Sequence, residues 1–250
     1  MLFDAHVHLG SWPFSFLPEY NAPQLAAHLK AHGIGRAAVA PLAAVLAPDP
    51  LPASRALLAA VRKVPALLPL PAVNPALAHW REQLDLAATG PLRAIKLYPN
   101  YHNYKLESPR FAPFFAEVAA RGLRIVIGVR LEDERHRYFA LNIKGVPVKS
   151  LAAFLKQYPK LHPLVLGLYL PELRELAKAA KNFSADTSCV EWIRSAETLA
   201  KEFPHDRILF SSHTPFFNTR AGVDKLTSGD LPAKVRTAFE SANAERFFGL

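Results

Sequence analysis

The 250-residue chain predicts an α/β fold, a (β/α)8 TIM-type barrel forming one domain over residues 1–250. Three observations predict it. Eight short apolar runs recur along the chain. Helix-patterned stretches with recognisable ends separate them. The length suits a closed one-domain barrel, and no glycine-rich phosphate loop follows the first run, which counts against an open dinucleotide-binding sheet.

The expected strands cover residues 2–7, 36–40, 66–70, 93–97, 124–129, 163–167, 182–185 and 207–210. Each is rich in Val, Ile, Leu, Ala or Phe, as fully covered parallel strands are. Between strands three and four, "NPALAHWREQLDLAATG" offers Asn74 as an N-cap, Pro75 at the first helical position and Gly90 as the stop. Between strands four and five, "SPRFAPFFAEVAARG" repeats that logic with Ser108, Pro109 and Gly122. After strand five, Val148, Leu151, Phe154, Leu155 and Tyr158 recur at helical spacing. In such a barrel the reacting groups come from the C-terminal ends of the strands, so the loops that follow them are where chemistry is sought.

Bulk properties exclude several classes. No apolar run approaches the ~20 residues of a membrane span. The N-terminus lacks a basic-then-apolar secretory pattern, and Cys189 is the lone cysteine, so a cytoplasmic protein without intrachain disulfides is expected. The formal charge of +9 is concentrated in residues 121–181, with twelve Lys/Arg against five Asp/Glu. It is dispersed rather than blocked, and no basic stripe is interleaved with aromatics. A solvated face, or a field drawing in a small anionic substrate, explains it better than nucleic acid. Neither nucleic acid nor membrane is an expected partner; a homo-oligomer is compatible with this reading.

The groups that could do chemistry gather after the strands. His6 and His8, two apart in "DAHVHL", share a strand face and suit a divalent ion. Lys96 ends strand four and could bind a carboxylate, form an imine or pair with an acid. In the loop beyond it His102 and Tyr104 are candidate substrate contacts. "VRLEDERHRY" holds Arg130 and Arg135 as anion-binding candidates, Asp133 as a candidate base and His136 as a candidate ligand; a mutual salt-bridge network is the competing reading. After strand seven come Asp186, a further base candidate, then Ser188, Cys189 and Glu191; Ser188 also suits a helix cap, and Cys189 would need a base such as His213. His213, in "RILFSSHTPF", follows strand eight, which closure puts beside strand one. Three converging histidines form a catalytic-type metal site. His28 and His32 share a helix face and read as surface residues.

With these residues placed, the chain resembles the amidohydrolase-2 (amidohydrolase-related) branch of the amidohydrolase superfamily. "FDAHVHLG", "AIKLYP", "RILFSSHTPF" and "NAERFFGL" each match a family segment in order. The resemblance implies a distorted (β/α)8 barrel with one divalent ion, usually zinc, at the mouth. The HxH histidines, here His6 and His8, are two ligands. It also implies a strand-five histidine, where this chain has Gly128 or Arg130, and a strand-six histidine, where "PLVLGLYL" has none. The aspartate that ends the last strand, both ligand and base in that family, is replaced here by His213. His102 and His136 are the candidates for the missing ligand; Asp133, Asp186 and Glu191 are those for the missing base. The expected activity is metal-dependent hydrolysis of a small, anionic substrate by metal-activated water. The alternatives are decarboxylation, as in the same branch, a barrel that binds a ligand without catalysis, and imine chemistry on Lys96.

Overall fold

A computed structural model describes residues 1–135 and 138–250. All eight expected strands form: β1 (Leu2–Leu9), β2 (Ile34–Pro41), β3 (Leu67–Pro69), β4 (Ala94–Leu97), β5 (Arg124–Gly128), β6 (Leu164–Leu166), β7 (Ser184–Asp186) and β8 (Ile208–Leu209). They pair in parallel as β1-β2-β3 and β4-β5-β6-β7-β8. Two seams close the barrel. At one, the amide of Lys96 donates to the Pro71 carbonyl (2.8 Å) and that of Val73 to the Lys96 carbonyl (2.9 Å). At the other, the amide of Ala5 donates to the Phe210 carbonyl (2.9 Å), that of His213 to His6 (3.1 Å) and that of His8 to Thr214 (2.8 Å). With no open edge left, every strand lies between two neighbours.

Helices α1 (Ala22–Ala31), α2 (Leu51–Val61), α3 (Trp80–Ala88), α4 (Ala112–Ala120), α5 (Val148–Gln157), α6 (Leu170–Ala179), α7 (Ser195–Glu202) and α8 (Thr219–Thr227) follow the strands; α9 (Ala233–Thr237) and α10 (Asn243–Phe248) end the chain. Helix α1 starts with a reciprocal Asn21/Gln24 capping box. Two expected starts are corrected. Asn74 does not cap α3: its Oδ1 accepts from the Ala76 amide in a local turn, and the helix begins only at Trp80. Ser108 makes no side-chain cap; Pro109–Phe111 form a 3-10 turn before α4. In both cases Pro at the second position permits a helix without starting one, because a turn can also use its fixed φ.

The core has two layers. Phe3, Ala5, Ala38, Leu68, Ala94, Val126, Leu164, Leu166 and Leu209 fill the barrel, closed below by Phe248, whose ring stacks on Phe3 at 5.8 Å. Val7, Val39, Ile95, Ile125, Ile127 and Val165 face outward, packed with the inner faces of the helices. Strict alternation from Ala5 would turn Val7 inward and His6 outward. The β1–β2 register shifts between Asp4 and Val7, which reverses the phase and turns His6 and His8 into the barrel.

Candidate metal centre at the barrel mouth

The irregularity in β1 is held by Asp4. Its Oδ1 accepts from the amide of His6 (3.0 Å) and, across the closing seam, from the amide of Ser212 (3.1 Å). Burial pushes this carboxyl up to about 7. Asp4 was not singled out from the sequence; an acid two residues before a functional pair, able to bond the amide two residues on, was the available signal.

Beyond it the histidines converge. His6, His8 and His213 each offer a ring nitrogen within 4.8 Å of the others, and all three are buried. The Nδ1 atoms of His6 and His213 are 3.0 Å apart. His213 Nε2 bonds the Leu131 carbonyl, so it carries the proton and Nδ1 presents its lone pair to the cluster. His213 adopts a left-handed backbone (φ 59°), uncommon for a residue with a side chain. Its amide bond to His6 and the Phe216 amide on its own carbonyl (2.9 Å) hold it there. Burial pushes His213 down to about 3 and lowers His6 and His8 as well, so all three rings are neutral. Both ring nitrogens of His8 are buried without a hydrogen-bond partner. Two orphaned nitrogens facing two further imidazoles, one with its tautomer set by a backbone carbonyl, are the donor set a divalent ion requires.

Lys96 is fully buried, with Nζ 3.2 Å from His6 Nε2, and burial brings its ammonium down to about 7. Its place bears on Gly128, one of the two strand-five positions, with Arg130, where the resemblance leads one to expect a histidine. A Cβ built on Gly128 would lie 3.2 Å from the Tyr98 ring and 3.3 Å from Lys96 Cε. The lysine thus occupies the space into which a strand-five side chain would project. Asp186 ends β7, with Oδ1 accepting from the Gly167 amide (2.8 Å) and Oδ2 unpartnered, 3.9 Å from His6 Nδ1.

The other expected site residues are placed elsewhere or engaged. Arg130 is buried, paired bidentately with Glu172 (2.6 and 2.7 Å) and laid over the Tyr169 ring at 3.9 Å. Asp133 accepts from Tyr169 Oη (2.8 Å) and from Arg135, whose guanidinium also pairs with Glu191. These bonds hold the Asp133 carboxyl well below its usual range despite its partial burial, so it is no proton acceptor at neutral pH. Both arginines are therefore engaged in ion pairs, as in the competing reading, though in two separate groups, Arg130 with Glu172 and Arg135 with Asp133 and Glu191: neither guanidinium is free to clamp an anion. His102 bonds the Ala44 carbonyl (3.0 Å), and Tyr104 packs on Phe111; neither belongs to the histidine cluster. His136 lies outside the described residues. Burial pushes the Cys189 thiol up to about 12, which removes it as a nucleophile. His28 is no plain surface residue: it joins Tyr20 (3.3 Å) to Thr219 (2.8 Å).

An aromatic cap covers the cluster. Phe216 stacks on His213 at 5.1 Å and meets His8 edge-on at 5.5 Å. Trp12 packs on Phe216, Phe14 and Tyr101. Trp12 Nε1 (3.0 Å) and Ser15 Oγ (2.8 Å) both donate to Glu132 Oε1, which ties the loop after β1 to the loop after β5. Trp12, Phe14 and Phe216 were not expected from the sequence to lie near the site, because aromatic loop residues carry no periodic signal.

The 5-carboxyvanillate decarboxylase of Sphingomonas paucimobilis shares the fold over 100% of this chain and 99% of its own, at 14% identity and a TM-score of 0.75. A dihydroxybenzoic acid decarboxylase from a Polaromonas species, solved with manganese and the inhibitor 2-nitroresorcinol, covers 100% and 97% at 18% identity and a TM-score of 0.77. The 2,6-dihydroxybenzoate decarboxylase from Rhizobium covers 99% and 98% at 17% identity and a TM-score of 0.70. No curated protein sequence matches the chain. No helix among the described residues is long and apolar enough to cross a membrane. The amidohydrolase family profile matches residues 145–250. The C-terminal 106 residues thus resemble that family, and the barrel is the fold shared with these decarboxylases along the whole chain.

Proposed function

We propose that the protein is a metal-dependent decarboxylase of a small aromatic carboxylic acid. The observation that carries this is the buried cluster of His6, His8, His213 and Lys96 beneath an aromatic cap. Decarboxylation replaces the expected hydrolysis as the main reading for a chemical reason. Hydrolysis on the family pattern uses the aspartate at the end of the last strand to take a proton from water, and that place holds His213, whose Nε2 is occupied by the Leu131 carbonyl. In decarboxylation the bond to the carboxylate breaks, its electron pair stays on the ring carbon, CO2 leaves and a proton is added to that carbon. The burial of these groups favours loss of charge from a desolvated carboxylate. The similarity to the dihydroxybenzoate and 5-carboxyvanillate decarboxylases supports the same choice.

His6, His8 and His213 hold the divalent ion, and three imidazoles favour zinc over the manganese of the Polaromonas neighbour. Bound there, the ion would supply Lewis-acid charge. Lys96 Nζ anchors the anionic end of the acid. Asp186, whose Oδ2 is buried and unpartnered 3.9 Å from His6 Nδ1, is placed to pass a proton to the ring carbon. Trp12, Tyr101 and Phe216 hold the ring and exclude water.

The test is CO2 release from a panel of hydroxybenzoic acids by protein loaded with zinc or with manganese. Release is expected, and lost in His8→Ala and Lys96→Met. Hydrolysis of aryl esters or lactones without CO2 release would return the chain to the hydrolase reading. Neither activity, with no metal retained on elemental analysis, would make it a non-catalytic barrel.

A further inference from the structure

The basic excess of the chain has a second focus, at the opposite end of the barrel. Arg124 opens β5, His162 precedes β6, Ser184 opens β7, Arg207 precedes β8 and Arg246 lies on α10. Together they line a cavity of about 280 Å³. Parallel strands bring their N-terminal ends side by side, so residues far apart in sequence meet here.

The arginines are not neutralised. Arg36, Arg55, Arg121, Arg130, Arg135 and Arg174 each pair with a carboxylate. Among the described residues Arg124, Arg207 and Arg246 pair with none, although Asp206 also lines the cavity. With His162 neutral, three cations and one acid leave a formal +2 in a small space. Two of the forks are held in place from behind. Arg207 donates to the Lys181 carbonyl; Arg246 donates to the Asp206 carbonyl (2.5 Å) and to Asn243 Oδ1 (2.8 Å). Ser184 and Asn243 are its buried polar residues: Ser184 Oγ meets His162 Nε2 at 3.2 Å, and Asn243 is anchored to the His205 and Ile208 carbonyls. Pre-oriented guanidinium forks around a hydroxyl suit a tetrahedral oxyanion with several acceptor oxygens.

We propose that this cavity binds a phosphate-type dianion, either free phosphate or the phosphoryl group of a small molecule. A bound dianion joins the starts of β5, β7 and β8 to α10, so binding stabilises the lower half of the barrel. The site is independent of the histidine cluster and its reading.

Inorganic phosphate and a simple phosphomonoester, glycerol 3-phosphate, are titrated into the protein at constant ionic strength by calorimetry. Saturable binding is expected, with a rise in Tm over a chloride control. Tighter phosphate marks a free-anion site; tighter ester marks a phosphorylated ligand. Arg124→Gln should weaken binding about tenfold or more. Arg124→Lys, which keeps charge and fold but loses the fork, should weaken it less. His162, held low by burial and by Arg207, should titrate higher with phosphate bound. No saturation by millimolar anion, or equal affinity in wild type and a folded Arg124→Gln/Arg246→Gln protein, overturns the proposal.

Discussion

At the scale of single residues the site depends on exchanges of space. Gly128 leaves the volume that the Lys96 side chain and the Tyr98 ring fill. Gly128→Ala should force both to shift, at a cost of about 1–3 kcal/mol, read as a lower denaturation midpoint; an unchanged midpoint would mean Lys96 is not confined there. Cys189 shows burial overriding sequence context. A thiol beside a serine and two residues from an acid invites a nucleophile reading, yet its pKa of about 12 keeps it protonated. Iodoacetamide should leave it unlabelled at pH 8 in the native protein and label it in denaturant. The histidine pair and His213 were legible from the sequence. The engagement of Arg130 by Glu172 was not: its partner lies 42 residues away and meets it only through the β5–β6 adjacency.

At the scale of elements the cap is the part that moves if substrate is to reach buried ligands. Its loops belong to different strands and are joined by Glu132. Each bond to this carboxylate is worth about 1.5–3 kcal/mol at most, since hydrogen bonds to charged groups are the stronger kind. Glu132→Ala should therefore speed amide exchange over residues 10–20 and 138–147 while leaving β1 and β5 protected. Exchange raised equally across the barrel would instead make Glu132 a general stability residue. Loops of this kind open at a free-energy cost well below global unfolding. The strands were legible because an apolar run between polar loops is a local signal. The starts of α3 and α4 were misplaced because a proline after Asn or Ser signals a turn as well as a helix.

At the scale of the whole molecule a metal held by His6, His8 and His213, as proposed, would join β1 to the end of β8 across the closing seam. Ligand binding to the folded state alone stabilises it by about 2.7 kcal/mol at a hundredfold excess over Kd. For a chain of this size that is a Tm rise of about 5–11 °C. Zinc should produce it, EDTA should reverse it and His8→Ala should abolish it; the same rise in His8→Ala would place the ion elsewhere. The sequence by itself determined the strand order, the barrel and the identity of the three histidines, because alternating apolar runs and an HxH pattern are written locally. It also carried the expectation of a missing aspartate at His213. The tertiary structure decided which candidates share the site. Closure brings His213 to His6, the shifted register of β1 turns the pair inward, and the loops after β5 and β7 and the start of α6 pair Arg130 with Glu172 and Arg135 with Asp133 and Glu191. The physical reason is common to all three: a side chain's partners come from strand adjacency and burial, and neither is fixed by its neighbours in sequence.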